Sequence, residues 1–226
     1  MAFHPELFEI QYSFISVAEQ LTDYLIPSII FLAFALMHSL SASHSFKTKI
    51  FRLSPKLKAW YRALYNLISL VMIALWWVTL PQDQTLYQSS GITFFLLLLL
   101  QVVFAYFFLK SIFAQNGMVF LGIKQILSNL QEGKLPNYLD EPQRGRLVTT
   151  GLYKYMRHPM YTFAMLVLIC SPIMTANLLY SIIIFALYFW IGSYFEEKNL
   201  IKRFGQDYIE YQNKVPRFIP RIRVIK

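Results

Sequence analysis

Charge is scarce in this 226-residue chain. Only 15% of it is Asp, Glu, Lys or Arg, against 56% hydrophobic residues. So little polarity excludes an ordinary soluble domain, and with a mean hydropathy of +0.43 it reads as an integral membrane protein. Cysteine is nearly absent. Cys170, the single one, lies inside an apolar run, which excludes a disulfide framework and a thiolate metal site and leaves the expectation of a buried, unreactive thiol. The four histidines, His4, His38, His44 and His158, include no pair three or four residues apart, so no metal site on a helix is expected. Residues 1–23 contain no Lys or Arg, and no basic leader with a cleavage site is read there. Leu7, Ile10, Phe14, Val17 and Leu21 instead predict a short amphipathic helix lying on a membrane surface.

Long apolar runs fill the remainder. Five spans are expected: Tyr24–Leu40, Tyr61–Leu80, Ile92–Phe113, a short one from Pro159 to about Pro172, and Asn177–Phe195. They bracket the ~20 residues that cross ~30 Å of hydrocarbon. The basic residues fall in three segments, six in 43–62, seven in 110–157 and eight in 198–226, which together hold all 21. Five spans place those segments on one side, and the positive-inside rule makes that side cytoplasmic. The charges thus follow a lipid bilayer and not a nucleic acid. The expected fold is all-α and polytopic, one membrane domain over 1–226, with the N-terminus outside and the C-terminus cytoplasmic. It divides into spans over 24–113, a cytoplasmic connector over 114–158, a helical hairpin over 159–195 and a tail over 196–226. In the connector, Ile123, Ile126, Leu127 and Leu130 form a helical stripe. In the tail, Leu200, Phe204, Tyr208, Tyr211 and Val215 step by 4, 4, 3 and 4, predicting one amphipathic helix closed by Pro216.

Chemistry concentrates where the connector enters the fourth span, at Gly151-Leu-Tyr153-Lys-Tyr-Met-Arg157-His158-Pro159-Met-Tyr161. Pro159 suits a first helical turn, which sets Arg157 and His158 beside uncapped N–H groups, a place that holds anions. Glu196 and Glu197 end the fifth span on the same side and face this motif across the hairpin. Carboxylates at a membrane boundary are costly unless paired, hydrated or functional. Two readings stand: an ion-pair clamp to Arg157, or a zwitterion site. In the second, Arg157 and His158 hold a carboxylate and the glutamates an ammonium or ribose hydroxyls. Rings of Tyr153, Tyr161, Tyr208 or Tyr211 then face an adenine or a sulfonium. S-adenosylmethionine carries all of these groups.

Gly151-x-Tyr153-x-x-x-Arg157-His158-Pro159-x-Tyr161, followed by Glu196-Glu197-x-x-Leu200-x-x-x-Phe204-Gly205-x-x-Tyr208-x-x-Tyr211, Pro216 and Pro220, resembles the isoprenylcysteine carboxyl methyltransferase and phospholipid methyltransferase superfamily. The resemblance implies S-adenosylmethionine as cofactor, with Arg157, His158, Tyr161, Glu196 and Glu197 as its contacts, to which the reading of the aromatic rings adds Tyr153, Tyr208 and Tyr211. His38-Ser39-Leu40 with Lys47, Tyr61-Arg62-x-x-Tyr65-Asn66, Phe120-Leu-Gly122-x-x-Gln125 and Ser171-Pro172-x-Met174-Thr175 extend it. Together they make the chain most similar to bacterial methanethiol S-methyltransferases and the related NnrU-like proteins. The implied acceptor is a small thiol, methanethiol giving dimethyl sulfide, and the implied location is a bacterial inner membrane with the site facing the cytoplasm. One departure is Phe163, where the family carries a small residue two places after the motif tyrosine; its ring would narrow the pocket or face lipid. A thiol must lose its proton before it attacks. Arg157 and Arg62 are candidates to favour the thiolate, and His38, with Arg62 and Asn66, is the candidate acceptor-side group. The alternatives are a lipid-like acceptor (a prenylcysteine carboxylate or a phospholipid amine) and an NnrU-like membrane protein that is no methyltransferase and binds haem.

Overall fold

The computed structural model describes residues 22–114, 116–133 and 147–220. The surface helix expected within residues 1–23 and the loop over 134–146 lie outside them. The described chain runs α1 (Leu25–Ala42), α2 (His44–Leu53), α3 (Leu57–Val78), β1 (Thr85–Gln88), α4 (Gly91–Ala114), α5 (Gly117–Phe120), α6 (Ile123–Glu132), a 3-10 turn (Gly151–Lys154), α7 (Pro159–Ile169), β2 (Ile173–Thr175), α8 (Ala176–Phe204) and α9 (Gln206–Lys214). It is a helical membrane protein. Helices α1, α3, α4 and α8 are each long and apolar enough to cross a bilayer. Their outer faces stay apolar: Leu32, Leu70, Phe95, Leu99, Val102 and Leu187 are all exposed, as lipid contact requires.

Aromatic rings fill the bundle. Phe31 and Phe34 of α1 meet Trp76 of α3 and Phe185 and Tyr188 of α8, with ring centroids 5.3–5.8 Å apart. On its other flank α8 packs against α7, and α7 lies along α4. There Phe163 stacks on Phe107 at 5.1 Å, and Gln101 Nε2 donates to the Val167 carbonyl at 3.0 Å. Phe163 is therefore buried against α4 and not turned to lipid.

Four expectations change. The helix expected to reach Pro172 stops at Ile169, because Pro172 cannot continue it and Ser171 turns away. Its 11 residues span only ~16 Å. Beyond it the chain is extended: β2 pairs antiparallel with β1, so an otherwise helical fold carries a two-stranded ribbon. The stripe expected to form one tail helix is two. Helix α8 runs on to Phe204, then Gly205 takes φ 56° and ψ −127°, a conformation open to glycine, and α9 starts afresh. Cys170 sits at the C-terminal end of α7 and is half-buried, not enclosed.

One end of the bundle is fixed by an acidic cap. Asp83 Oδ1 accepts from the Asn177 N–H at the start of α8, where a negative charge suits the helix dipole. Asn177 also donates to the Pro81 carbonyl and accepts from Tyr24. The opposite end carries α2, α6, α9 and the described basic residues, and the candidate site lies there.

Candidate functional site

Three stretches meet at the basic end: the turn 151–158 leading into α7, the last turns of α8, and the tail beyond α9. The tail does more than the sequence suggests. Past Pro216 it bends back against the motif, so that Arg157 N–H donates to the Pro216 carbonyl at 2.9 Å and His158 N–H to the Arg217 carbonyl at 3.0 Å. Thr162 Oγ1 reaches the Phe218 carbonyl at 3.1 Å. Tyr211 on α9 donates its hydroxyl to the Tyr153 carbonyl at 2.6 Å, tying α9 to the 3-10 turn.

Side chains converge on the two glutamates, and the two behave differently. Glu197 is buried and saturated. Its Oε1 accepts from Arg157 Nε at 2.7 Å and His158 Nε2 at 3.0 Å, and its Oε2 from Arg217 Nη2 at 2.7 Å and Gln212 Nε2 at 3.0 Å. Arg157 spends its Nη1 on the Gln212 and Val215 carbonyls. Together these bonds hold α8, α9, the tail and the α7 entry in one knot. Glu196 instead accepts from the Tyr161 hydroxyl at 2.8 Å and stands 3.5 Å from His158 Nδ1, with its side chain still 42% exposed.

His158 links the two. Burial opposes charge on its ring, but hydrogen bonds to Glu196 and Glu197, and their charges, hold its pKa above the usual histidine value. Its ring stacks on Tyr161 at 5.3 Å and 4°, and Tyr161 stacks on Phe189 at 4.6 Å and 7°. Burial and the charge of Glu197 hold the phenols of Tyr208 and Tyr211 well above their usual range, so both remain neutral.

A cleft opens beside this knot, lined by Leu147, Val148, Tyr153, Arg157, His158, Met160, Tyr161, Glu196, Leu200, Tyr208 and Tyr211. Seven of the eight residues expected at a cofactor line it; Glu197 lies behind them. Its enclosed space, about 20 Å³, holds one water. A wider cleft of about 610 Å³ adjoins it at Leu147 and Tyr211, with Thr149, Lys154, Asp207, Glu210 and Lys214 on its walls. At the floor of the first cleft, no side chain caps the N-terminus of α7.

The other expected residues lie elsewhere. Arg62, near the start of α3, donates from Nε to the Phe120 carbonyl at 3.0 Å, and Asn66 donates to the same oxygen at 2.9 Å. His38 on α1 is bonded through both ring nitrogens, Nδ1 to Ser69 and Nε2 to Tyr65. His158 likewise uses both of its nitrogens. Neither offers an open nitrogen to a haem iron as placed, and the two sit in different clusters.

Sequence reasoning missed Gln212, Arg217, Phe189 and Phe218. Arg217 is one of eight basic residues in the tail by sequence, and only the course of the chain after Pro216 brings it back to Glu197. The proline was the available signal.

Comparison with known proteins places the chain among methyltransferases. Residues 86–207 match the phospholipid methyltransferase family. The chain is 31% identical over 201 residues to a methanethiol S-methyltransferase of Pseudomonas deceptionensis, covering 88% of this chain and 73% of the relative. It is 30% identical over 194 residues to the methanethiol S-methyltransferase of Crocosphaera subtropica, covering 84% and 71%. A protein-S-isoprenylcysteine O-methyltransferase of Schizosaccharomyces pombe is 30% identical over 127 residues, covering 51% and 52%. No solved structure matches the chain. With a family match over more than half its length and near full-length similarity to curated methyltransferases, the chain belongs to the phospholipid methyltransferase family and is a membrane methyltransferase.

Proposed function

We propose that this protein transfers a methyl group from S-adenosylmethionine to a small thiol, methanethiol, giving dimethyl sulfide. The observation that carries the reading is the extent of similarity. The methanethiol enzymes align with 84–88% of the chain and the fission-yeast prenylcysteine enzyme with 51%. A lipid-like acceptor is the competing reading, since a prenylcysteine methyltransferase is also similar to the chain.

The chemistry of the cleft fits the cofactor. A half-exposed carboxylate, Glu196, suits an ammonium group or ribose hydroxyls, and Tyr153 and Tyr208 offer rings to an adenine or a sulfonium. The uncapped N-terminus of α7 suits the carboxylate. An enclosed space of about 20 Å³ means that the cleft must widen on binding, towards the adjoining one. Glu197, tied to four donors of its own chain, supports the site without touching the ligand. Arg157 supports the site too, through Nε on Glu197 and Nη1 on two tail carbonyls. When bound, S-adenosylmethionine supplies an electrophilic methyl group on a positive sulfur. The chain contributes alignment and exclusion of water, worth up to ~7–11 kcal/mol in favourable cases.

The topology belongs to the same proposal. Helix α7 and the extended stretch to Thr175 together carry the chain from the basic end to β1, beside the loop after α3. That makes a fifth crossing, with the basic end and its cleft in the cytoplasm and the membrane a bacterial inner one.

Purified protein in detergent, given labelled S-adenosylmethionine and in turn methanethiol, a prenylcysteine and a phosphatidylethanolamine, decides the acceptor. Label in dimethyl sulfide is expected. Label in either lipid-like product instead would overturn the thiol assignment.

A further inference from the structure

In the cleft at Glu196 the phenols of Tyr208 and Tyr211 stay neutral and the two glutamates favour the protonated form of His158, which leaves these three little capacity to take a proton from a thiol. A different cluster has that capacity, inside the bundle where α1, α3 and α8 meet. Ser69 Oγ donates to the Tyr65 carbonyl at 2.8 Å, which uses its one proton. The contact of 2.9 Å between Ser69 Oγ and His38 Nδ1 must then run the other way, with Nδ1–H donating. A neutral imidazole protonated at Nδ1 has Nε2 as its acceptor, and Nε2 meets the Tyr65 hydroxyl. The Arg62 guanidinium sits 5.5 Å over the Tyr65 ring, where it favours negative charge passing through the phenol.

The cluster connects to the cofactor cleft through rings. His38 lies 6.4 Å from Tyr188, Tyr188 lies 5.9 Å from Phe189, and Phe189 stacks on Tyr161, the residue bonded to Glu196. His38, Tyr65 and Tyr188 are half-buried, so a small apolar molecule in the bilayer can approach them. An ionisable side chain inside a membrane span is costly, and a fixed tautomer aimed at one phenol is more than helix packing demands.

We propose that Tyr65 and His38 form the proton-accepting pair on the acceptor side of the site, with Ser69 fixing the tautomer. This rests on the thiol-methylation reading. Tyr65 Oη takes the thiol proton while its own proton passes to His38 Nε2. The thiolate sulfur forms the new S–C bond, the C–S bond of the sulfonium breaks, and that sulfur keeps the electron pair. His38 leaves the step as the imidazolium and returns its proton to water. Tyr65 is the catalytic residue here, and His38 and Ser69 act through it.

Three measurements test the pair together. Methyl transfer to methanethiol by Tyr65→Phe and His38→Gln should fall roughly 10²–10⁴-fold near pH 7 and climb back as pH rises past the thiol pKa. An aromatic thiol already ionised at pH 7 should restore both variants, while S-adenosylhomocysteine binding stays at the wild-type level. Nitrogen-15 spectra of histidine-labelled protein should show one neutral histidine protonated at Nδ1, with Nε2 accepting, and Ser69→Ala should disturb it. Variants with a wild-type pH profile, or a loss that the ionised thiol does not rescue while S-adenosylhomocysteine binding is intact, would overturn the proposal. So would the opposite tautomer, which is read without activity and therefore covers a variant that fails to fold. Wild-type protein that binds no S-adenosylhomocysteine contradicts the underlying cofactor reading instead.

Discussion

Two neighbouring glutamates have opposite surroundings, and substitution should separate them. Glu197→Gln leaves Arg157 and Arg217 without their carboxylate in a buried knot, so a loss of about 3–5 kcal/mol is expected, seen as a lower Tm with or without ligand. Glu196→Gln should melt near wild type and lose the upward Tm shift that S-adenosylhomocysteine gives the wild type. The reverse pattern would mean that the roles are exchanged. His158 adds a pH signature. Its folded pKa is raised, so the folded state binds the proton more tightly than the unfolded chain does. That stabilisation is complete below about 6.5, the unfolded value, and is lost as pH climbs through the raised folded value. Tm should therefore decline over that range, and His158→Gln should remove this part of the decline. A slope unchanged in the variant would show that another group titrates there. Residue identity was legible in the sequence to this depth: Arg157, His158, Glu196 and Glu197 stood out as charge at a membrane boundary, and Tyr161 as a ring beside them. Their division of labour was not, because Arg217 and Gln212 reach Glu197 from a tail whose path no periodicity encodes.

At the scale of elements, glycine and proline decide what hydrophobic pattern alone could not. The stripe from Leu200 to Val215 keeps helical spacing straight across Gly205, so it reads as one helix, and the break is visible only in the backbone. The entry to α7 was legible, since Pro159 at a first turn has a local cause, whereas the strand that follows Pro172 pairs with one some 85 residues earlier, which no local pattern announces. Gly122 makes the sharpest prediction here. It holds φ +84°, and a Cβ there would stand 2.6 Å from the Ala63 backbone nitrogen. The Phe120 carbonyl nearby is the one that Arg62 and Asn66 share. Gly122→Ala should lower stability by at least about 1–2 kcal/mol from backbone conformation alone, with the close approach adding to it. A Tm equal to wild type would show that the contact between α3 and the α5–α6 turn is softer than it looks.

For the whole molecule, the long apolar runs and the three basic segments were sufficient to read a helical membrane bundle with one basic end. The central position of α8, packed on α1 and α3 by one face and on α7 by the other, was not readable, because both faces are apolar and aromatic. The crossing pattern is testable in Cys170→Ser protein carrying one new cysteine. An impermeant thiol reagent added to intact cells should label Gln82→Cys, and should label Lys214→Cys only after permeabilisation. Equal labelling of both would refute a fifth crossing. The central claim, that the Glu196 cleft holds S-adenosylmethionine for methyl transfer, is tested most directly by calorimetric titration of S-adenosylhomocysteine into wild-type and Glu196→Gln protein. The account predicts one site per chain in the wild type, weakened roughly ten- to a hundred-fold in the variant by loss of a charge-assisted bond. No binding by folded wild-type protein, or the same affinity in both, would contradict it.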